Sequence, residues 1–218
     1  MIDYANEFVA LTVADLRQVV HGQLVDQSAE LIVLYDGIRF MYVPLVHIEQ
    51  LTRYPSPSGM TGKIPESPLG PAEHLSHRKV LLNAKGVFAE LYVAGNRTIH
   101  GYVTSVMTDF FVFHSPLHRS LCVSMRHLKI FAPYDDGQLP YALGPNRFPF
   151  YPPTAPLART FDRQLQKFEN EFVILDLGEQ PRKSGLLKSV ANNLVELAAA
   201  DGTSTYIHLD HVRTIHLP

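Results

Sequence analysis

Short apolar runs separated by polar turns recur along the chain, and three stretches of them follow one plan. The first runs from Gly22 through Leu31-Ile-Val-Leu-Tyr35 and Phe40-Met-Tyr-Val-Pro-Leu45 to His47. The second runs from Gly101 through Phe110-Phe-Val-Phe113 and Leu121-Cys-Val-Ser-Met125 to His127. The third runs from Gly185 through Leu194-Val-Glu-Leu197 and Tyr206-Ile-His-Leu209 to His211. The glycine-to-histidine separations are 25, 26 and 26 residues. Runs rich in Val, Ile, Phe and Tyr and bounded by turn residues predict β-strands. Their recurrence at a fixed period predicts a repeated structural unit. A first strand is expected at 87–93 in the second repeat and 172–177 in the third. The glycine should bend a long second strand, and the histidine should close the fourth. A fifth strand is expected at 48–51, 128–131 and 212–217. Asp36-Gly37 and Asp201-Gly202 predict tight hairpins with φ > 0 at both central positions, whereas the second repeat has the longer loop Ser115-Pro-Leu-His-Arg119.

Apolar residues at 157, 161, 165 and 168 mark one face of a helix over 157–171, with Thr160 as a candidate cap. A shorter helix is expected around 71–77. Two proline-rich stretches punctuate the repeats, and proline can occupy neither a central strand nor a helix interior. The expected division is therefore a first barrel at 1–53, a Pro-rich linker at 54–72, a second barrel at 73–134, a second Pro-rich linker at 135–156, and a third barrel with an N-terminal helix at 157–218. The second linker is also aromatic (Tyr141, Phe148, Phe150, Tyr151), so it is expected to pack along a barrel.

A helix followed by five short strands, with a glycine in the long second strand and a tight turn before the last, resembles the Sm-like branch of the small SH3-type barrels. The third repeat fits best, with its helix, its bent strand at Gly185-Leu-Leu-Lys-Ser-Val and Asn192-Asn193-Leu194 leading into strand three. The resemblance implies an all-β chain with short helices, built as three tandem five-stranded antiparallel barrels. The wording around each glycine and histidine also resembles Sm-like proteins of endospore-forming bacteria, some of them associated with the spore coat. Sm proteins that bind RNA hold a base near an Asp or Asn in the turn before strand three. Asp109, Asn192 and Asn193 stand at that place. The Arg-Gly pair that follows strand four in those proteins is missing: the corresponding positions read Leu45-Val-His47, Met125-Arg-His127 and Leu209-Asp-His211.

Composition narrows the function. Of 218 residues 46% are apolar and 18% charged, ample for packed cores. The formal charge of −2 lacks the basic footprint of a nucleic-acid or anionic-membrane binder. Cys122 is the sole cysteine, which rules out an internal disulfide, and its apolar run implies a buried, inert thiol. No apolar run approaches the ~18 residues of a membrane span, and no secretion signal opens the chain, so synthesis in the cytoplasm is expected. His47, His127 and His211 occupy the same place in each repeat, which favours a shared structural job over a titrating switch. The pairs His74/His77, His114/His118 and His208/His211 lack a third ligand at fixed spacing, so neither a metal nor a cofactor is expected. No nucleophile elbow, phosphate loop or His-Glu-x-x-His is present, so a non-enzymatic role is expected. The leading reading is a structural or assembly protein, a component of a bacterial spore's coat, partnering itself or other coat proteins. Strand-four residues Phe40, Tyr42, Leu121, Val123, Tyr206 and Ile207 would form the interface. The alternative is an Sm-like regulator that binds single-stranded RNA.

Overall fold

The computed structural model describes residues 7–55, 65–71, 75–94, 97–135, 141 and 156–218. The fold is mostly antiparallel β. Repeat one supplies β1 (Phe8–Val13), β2 (Val20–Gln27), β3 (Leu31–Tyr35), β4 (Phe40–Pro44) and β5 (Ile48–Tyr54). Repeat two supplies α1 (His77–Asn83), β6 (Phe88–Ala94), β7 (Arg97–Val106), β8 (Phe110–Ser115), β9 (Arg119–Ser124) and β10 (Ile130–Pro133). Repeat three supplies α2 (Phe161–Gln166), β11 (Phe172–Leu175), β12 (Ser184–Ala191), β13 (Leu194–Ala198), β14 (Ser204–His208) and β15 (Thr214–His216). No helix among the described residues is long and apolar enough to cross a membrane.

Contacts group the chain into two compact units that cut across the repeat boundaries. One comprises residues 1–100 and 128–145, the other 101–127 and 146–218. In the first unit the strand order is β5-β1-β2-β3-β4-β10-β6. In the second it is β14-β13-β12-β11-β15-β9-β8-β7. Repeats one and three thus share the internal order five-one-two-three-four. The expected closed barrels are not formed by this pairing. β4 bonds not to β5 of its own repeat but to β10, the fifth strand of repeat two. Likewise β15 bonds to β9, the fourth strand of repeat two, and not to β14. An unpaired strand edge is unstable in water and invites another strand, and the following repeat meets that need.

Each core is completed by residues of repeat two. In the first unit Ile130 and Ala132 of β10 join Val9, Leu11, Leu24, Leu34 and Val43. In the second, Phe110, Val112 and Cys122 join Leu165, Val173, Leu187, Val195 and Ile215. Burial pushes the Cys122 thiol up to about 12, as expected of an inert cysteine.

The repeat glycines serve close approach. A Cβ at Gly22 would stand 3.0 Å from the Tyr35 carbonyl oxygen. At Gly101 and Gly185 it would collide outright with the carbonyls of His114 and Ala198. Three residues after each glycine the register slips by one, leaving Val25, Thr104 and Lys188 as the extra residue of a bulge. A bulge bends its strand and sharpens the twist, so glycine and bulge together give each repeat the curvature expected from sequence.

Several local expectations need correction. The helix expected around 71–77 begins at His77, because the Ser76 hydroxyl accepts the Lys79 amide at 3.1 Å and caps it there. α2 is shorter than 157–171, and its N-cap Thr160 makes no side-chain capping bond. The hairpin turns hold only one left-handed residue each, Gly37 (φ 97°) and Gly202 (φ 81°). Asp36 and Asp201 act instead through their carboxylates, accepting the amides of Ile38 and Thr203 at 2.9 Å. Most of both Pro-rich linkers, including Phe148, Phe150 and Tyr151, lies outside the described residues, while Tyr141 packs edge-on against His100.

Gly101→Ala and Gly185→Ala should each lower stability by about 1–3 kcal/mol, the cost of overpacking against backbone. Gly22→Ala, with more room, should cost less. Urea unfolding of the three variants checks the ranking.

Candidate functional site

The three repeat histidines occupy one local structure. Each ends a 3-10 turn after strand four, at Leu45–His47, Met125–His127 and Leu209–His211. They do not lie on the fourth strand itself, as the sequence pattern had implied. The turn is pinned identically three times. Leu45 N bonds Glu30 O at 2.8 Å, Met125 N bonds Asp109 O at 2.9 Å, and Leu209 N bonds Asn193 O at 2.8 Å. Glu30, Asp109 and Asn193 each stand one residue before strand three. The sequence repeat is therefore a repeat of backbone geometry.

Around this element two joints between successive repeats are built, one inside each unit. In the first unit Tyr42 faces Phe131 across β4 and β10. In the second Cys122 faces Ile215, and Val123 faces Thr214, across β9 and β15. The registers agree. Tyr42 and Cys122 each precede their own repeat's histidine by five residues; Phe131 and Ile215 each follow the next repeat's histidine by four.

A second contact is repeated as well. The Glu30 carboxylate accepts the amide of His77, first residue of α1, at 2.9 Å. The Asp109 carboxylate accepts the amide of Phe161, first residue of α2, at 2.8 Å. Each helix is thus capped by an acid from the preceding repeat, satisfying an orphan donor and complementing the helix dipole.

The histidines supply a third contact. His47 is buried, with Nδ1 3.2 Å from the Lys129 ammonium, which also pairs with Asp15 at 3.2 Å. His127 Nε2 lies 2.8 Å from the carbonyl oxygen of Asp210, whose carboxylate pairs with Arg126. His211 is exposed, and its ring meets that of His208 edge-on, centroids 5.9 Å apart. The early start of the 3-10 turn brings these two rings together.

The other expected site residues fall into place around the joints. Phe40, Tyr42, Leu121 and Val123 are buried on strands paired on both sides within the chain. Tyr206 and Ile207 sit on β14, which ends its unit's strand order, and Tyr206 is 61% exposed. Asp109 and Asn193 line one cleft of about 330 Å³ in the second unit, with Arg126, His127, Asp162 and Asp210. Asn192 is not part of its lining; it and Asn193 take left-handed φ of 52° and 60°, forming the tight β12–β13 turn. With three carboxylates to one guanidinium, this cleft is electrostatically poor for phosphate. No group of three His, Cys, Asp or Glu among the described residues is placed to hold a metal ion.

Three polar supports were not visible in the sequence. Buried Asp176 accepts the amides of Arg213 at 2.7 Å and Thr214 at 3.1 Å and pairs with Lys183, replacing strand pairing where β11 ends. Arg39 pairs with Glu90 and donates to the Tyr92 hydroxyl at 3.2 Å, linking repeats one and two. Burial alone would lower its pKa, but Glu90 and Tyr92 outweigh this and raise it. Lys129 is the third. Spatial proximity identifies these, since apart from the Asp176–Lys183 pair the bonds join distant segments.

His77 and His216, one per unit, are held neutral by burial at about 4, with His118 adding to the effect on His216. Each folded pKa lies below the ordinary value of 6.5, so the folded state disfavours the charged ring. Stability from this source is complete above about pH 6.5 and falls as pH drops towards 4, by on the order of 2 kcal/mol per histidine. Thermal melts across that window should show the loss, and His216→Gln should remove about half of it. Separately, Asp109→Ala should cost about 1 kcal/mol through loss of the α2 cap, read by urea denaturation.

The family model described as the YwrJ third domain matches residues 160–215, the span from the α2 cap to β15. The uncharacterized protein YwrJ of Bacillus subtilis (strain 168) is 42% identical over 202 residues, covering 90% of this chain and 90% of that protein. Identity at that level extends over nearly the whole length of both chains. The chain belongs to the YwrJ family.

Proposed function

We propose that the chain is a non-enzymatic structural protein, three Sm-like five-stranded repeats in series, serving as a building block of an assembled layer such as the bacterial spore coat. One observation carries this reading. Both internal joints use the same strand pairing in the same register, with the same cross-repeat helix cap. A unit whose fourth strand is completed by the fifth strand of its neighbour is an assembly module, because its stability depends on having a neighbour. Glu30, Asp109 and His127 at the joints are engaged in structural bonds to backbone groups. The relative from Bacillus subtilis, a spore-former, supports the setting. Synthesis is cytoplasmic, and the partners are further copies or other coat proteins.

A second reading, an Sm-like single-stranded RNA regulator, draws on the shared cleft of Asp109, Asn193, Arg126 and His127. Its acidic balance weighs against it.

A tagged chain expressed through sporulation in an endospore-forming host should fractionate with the outer layers of purified spores. Its absence from spores would remove the coat assignment. In filter binding at low salt, no retention of U-rich or A-rich RNA is expected. Retention that weakens steeply with salt would instead establish the RNA reading.

A further inference from the structure

We propose that the β14 edge of one copy takes the β5 edge of a second copy as a third joint, antiparallel and in the register of the two internal ones. This rests on the reading of the chain as an assembly protein and names the partner. β14 and β5 each end the strand order of their unit, with one strand neighbour apiece among the described residues. Among the described residues no fifth strand lies on β14 and no fourth strand lies on β5. The turn after β14 has the geometry found at both occupied joints, shown by the Leu209–Asn193 backbone bond. The edge is thus shaped for a strand that no described residue of the same chain supplies.

The internal rule fixes the contacts. The residue five before the histidine is Tyr206, and the residue four after the first repeat's histidine is Leu51. Tyr206 should therefore face Leu51 of the second copy. Its counterparts Tyr42 and Cys122 are 2% and 5% exposed in their joints, against 61% for Tyr206. The position equivalent to Lys129, which meets His47, is Glu49 in repeat one. His211 of one copy therefore approaches a carboxylate of the next, a complementary pair. Such a head-to-tail joint is heterologous, so copies either close into a ring or extend.

Two single-cysteine chains test this in a Cys122→Ser background, one carrying Tyr206→Cys and the other Leu51→Cys. Both positions are at least partly exposed, and thermal melts would check that each variant folds. Mixed under mild oxidation, they should form a disulfide-linked heterodimer on the order of tenfold more efficiently than the off-register pair Tyr206→Cys with Thr52→Cys, since a disulfide needs closely opposed Cα atoms. Ile215→Cys, facing native Cys122, reports an occupied joint within one chain. Mass photometry of the unsubstituted chain completes the test. Association without the in-register cross-link would overturn this joint and leave the assembly reading standing. A strictly monomeric chain at high concentration would overturn both. Rings or extended oligomers with the cross-link would establish the joint.

Discussion

The hydrogen-bonding edge of the fourth strand is the constraint on which the rest of this structure depends. A five-stranded sheet in the order five-one-two-three-four ends on a row of backbone donors and acceptors that must be paired or solvated. Here the following repeat pairs them, β10 on β4 and β15 on β9. That choice explains why contacts group the chain into two units that cut through repeat two instead of three independent ones. It also explains why each core is finished by side chains from repeat two. Small domains bury too little surface to be secure alone, and lending a strand to the preceding repeat extends both the sheet and the core.

Pairing of two short strands would be a weak joint by itself, and the polar contacts make it specific. A helix of six or seven residues is far below the length at which helices are stable in isolation. Its first amide must find an acceptor, and Glu30 or Asp109 provides one from the preceding repeat. A one-residue slip of the strand pair would pull that carboxylate off the helix and turn side chains to the wrong face. Strand register and helix position therefore enforce each other. The histidines act in the same sense: His127 reads a backbone carbonyl of the next repeat, and His47 sits against a buried lysine whose charge Asp15 answers.

Much of this architecture was legible in the amino-acid order, because strand period, turn residues and the glycine-to-histidine spacing are local signals. The bend glycines, the buried Cys122 and the order of elements follow from them. The partner of each strand edge was not legible. Nothing local in Tyr42 or Val123 says whether the facing strand belongs to the same chain, and only the register supplies it. Asp109 and Asn193 look alike as polar turn residues before strand three, yet one caps a helix and the other shapes a tight turn. The carboxylate at position 109 has a job only because α2 arrives there from 52 residues away. Asp176 is missed for the same reason.

The outermost fourth strand differs from its counterparts in side chains but not in backbone. β4 is buried along its whole length, and β9 is buried over its last four residues. β14 alternates exposed and half-buried positions, with Ser204, Tyr206 and His208 turned outward. A strand designed to stay dry would carry apolar residues there; one designed to stay single would carry proline, a bulge or lysine. β14 carries none of the three. Its hydroxyls, phenol and imidazole tolerate water while leaving the backbone free to pair. A strand added to it gains its hold from main-chain bonds more than from apolar burial. The internal joints, sealed by Phe131 and Ile215, are permanent parts of the fold, whereas a joint at β14 is of the kind that can form and separate.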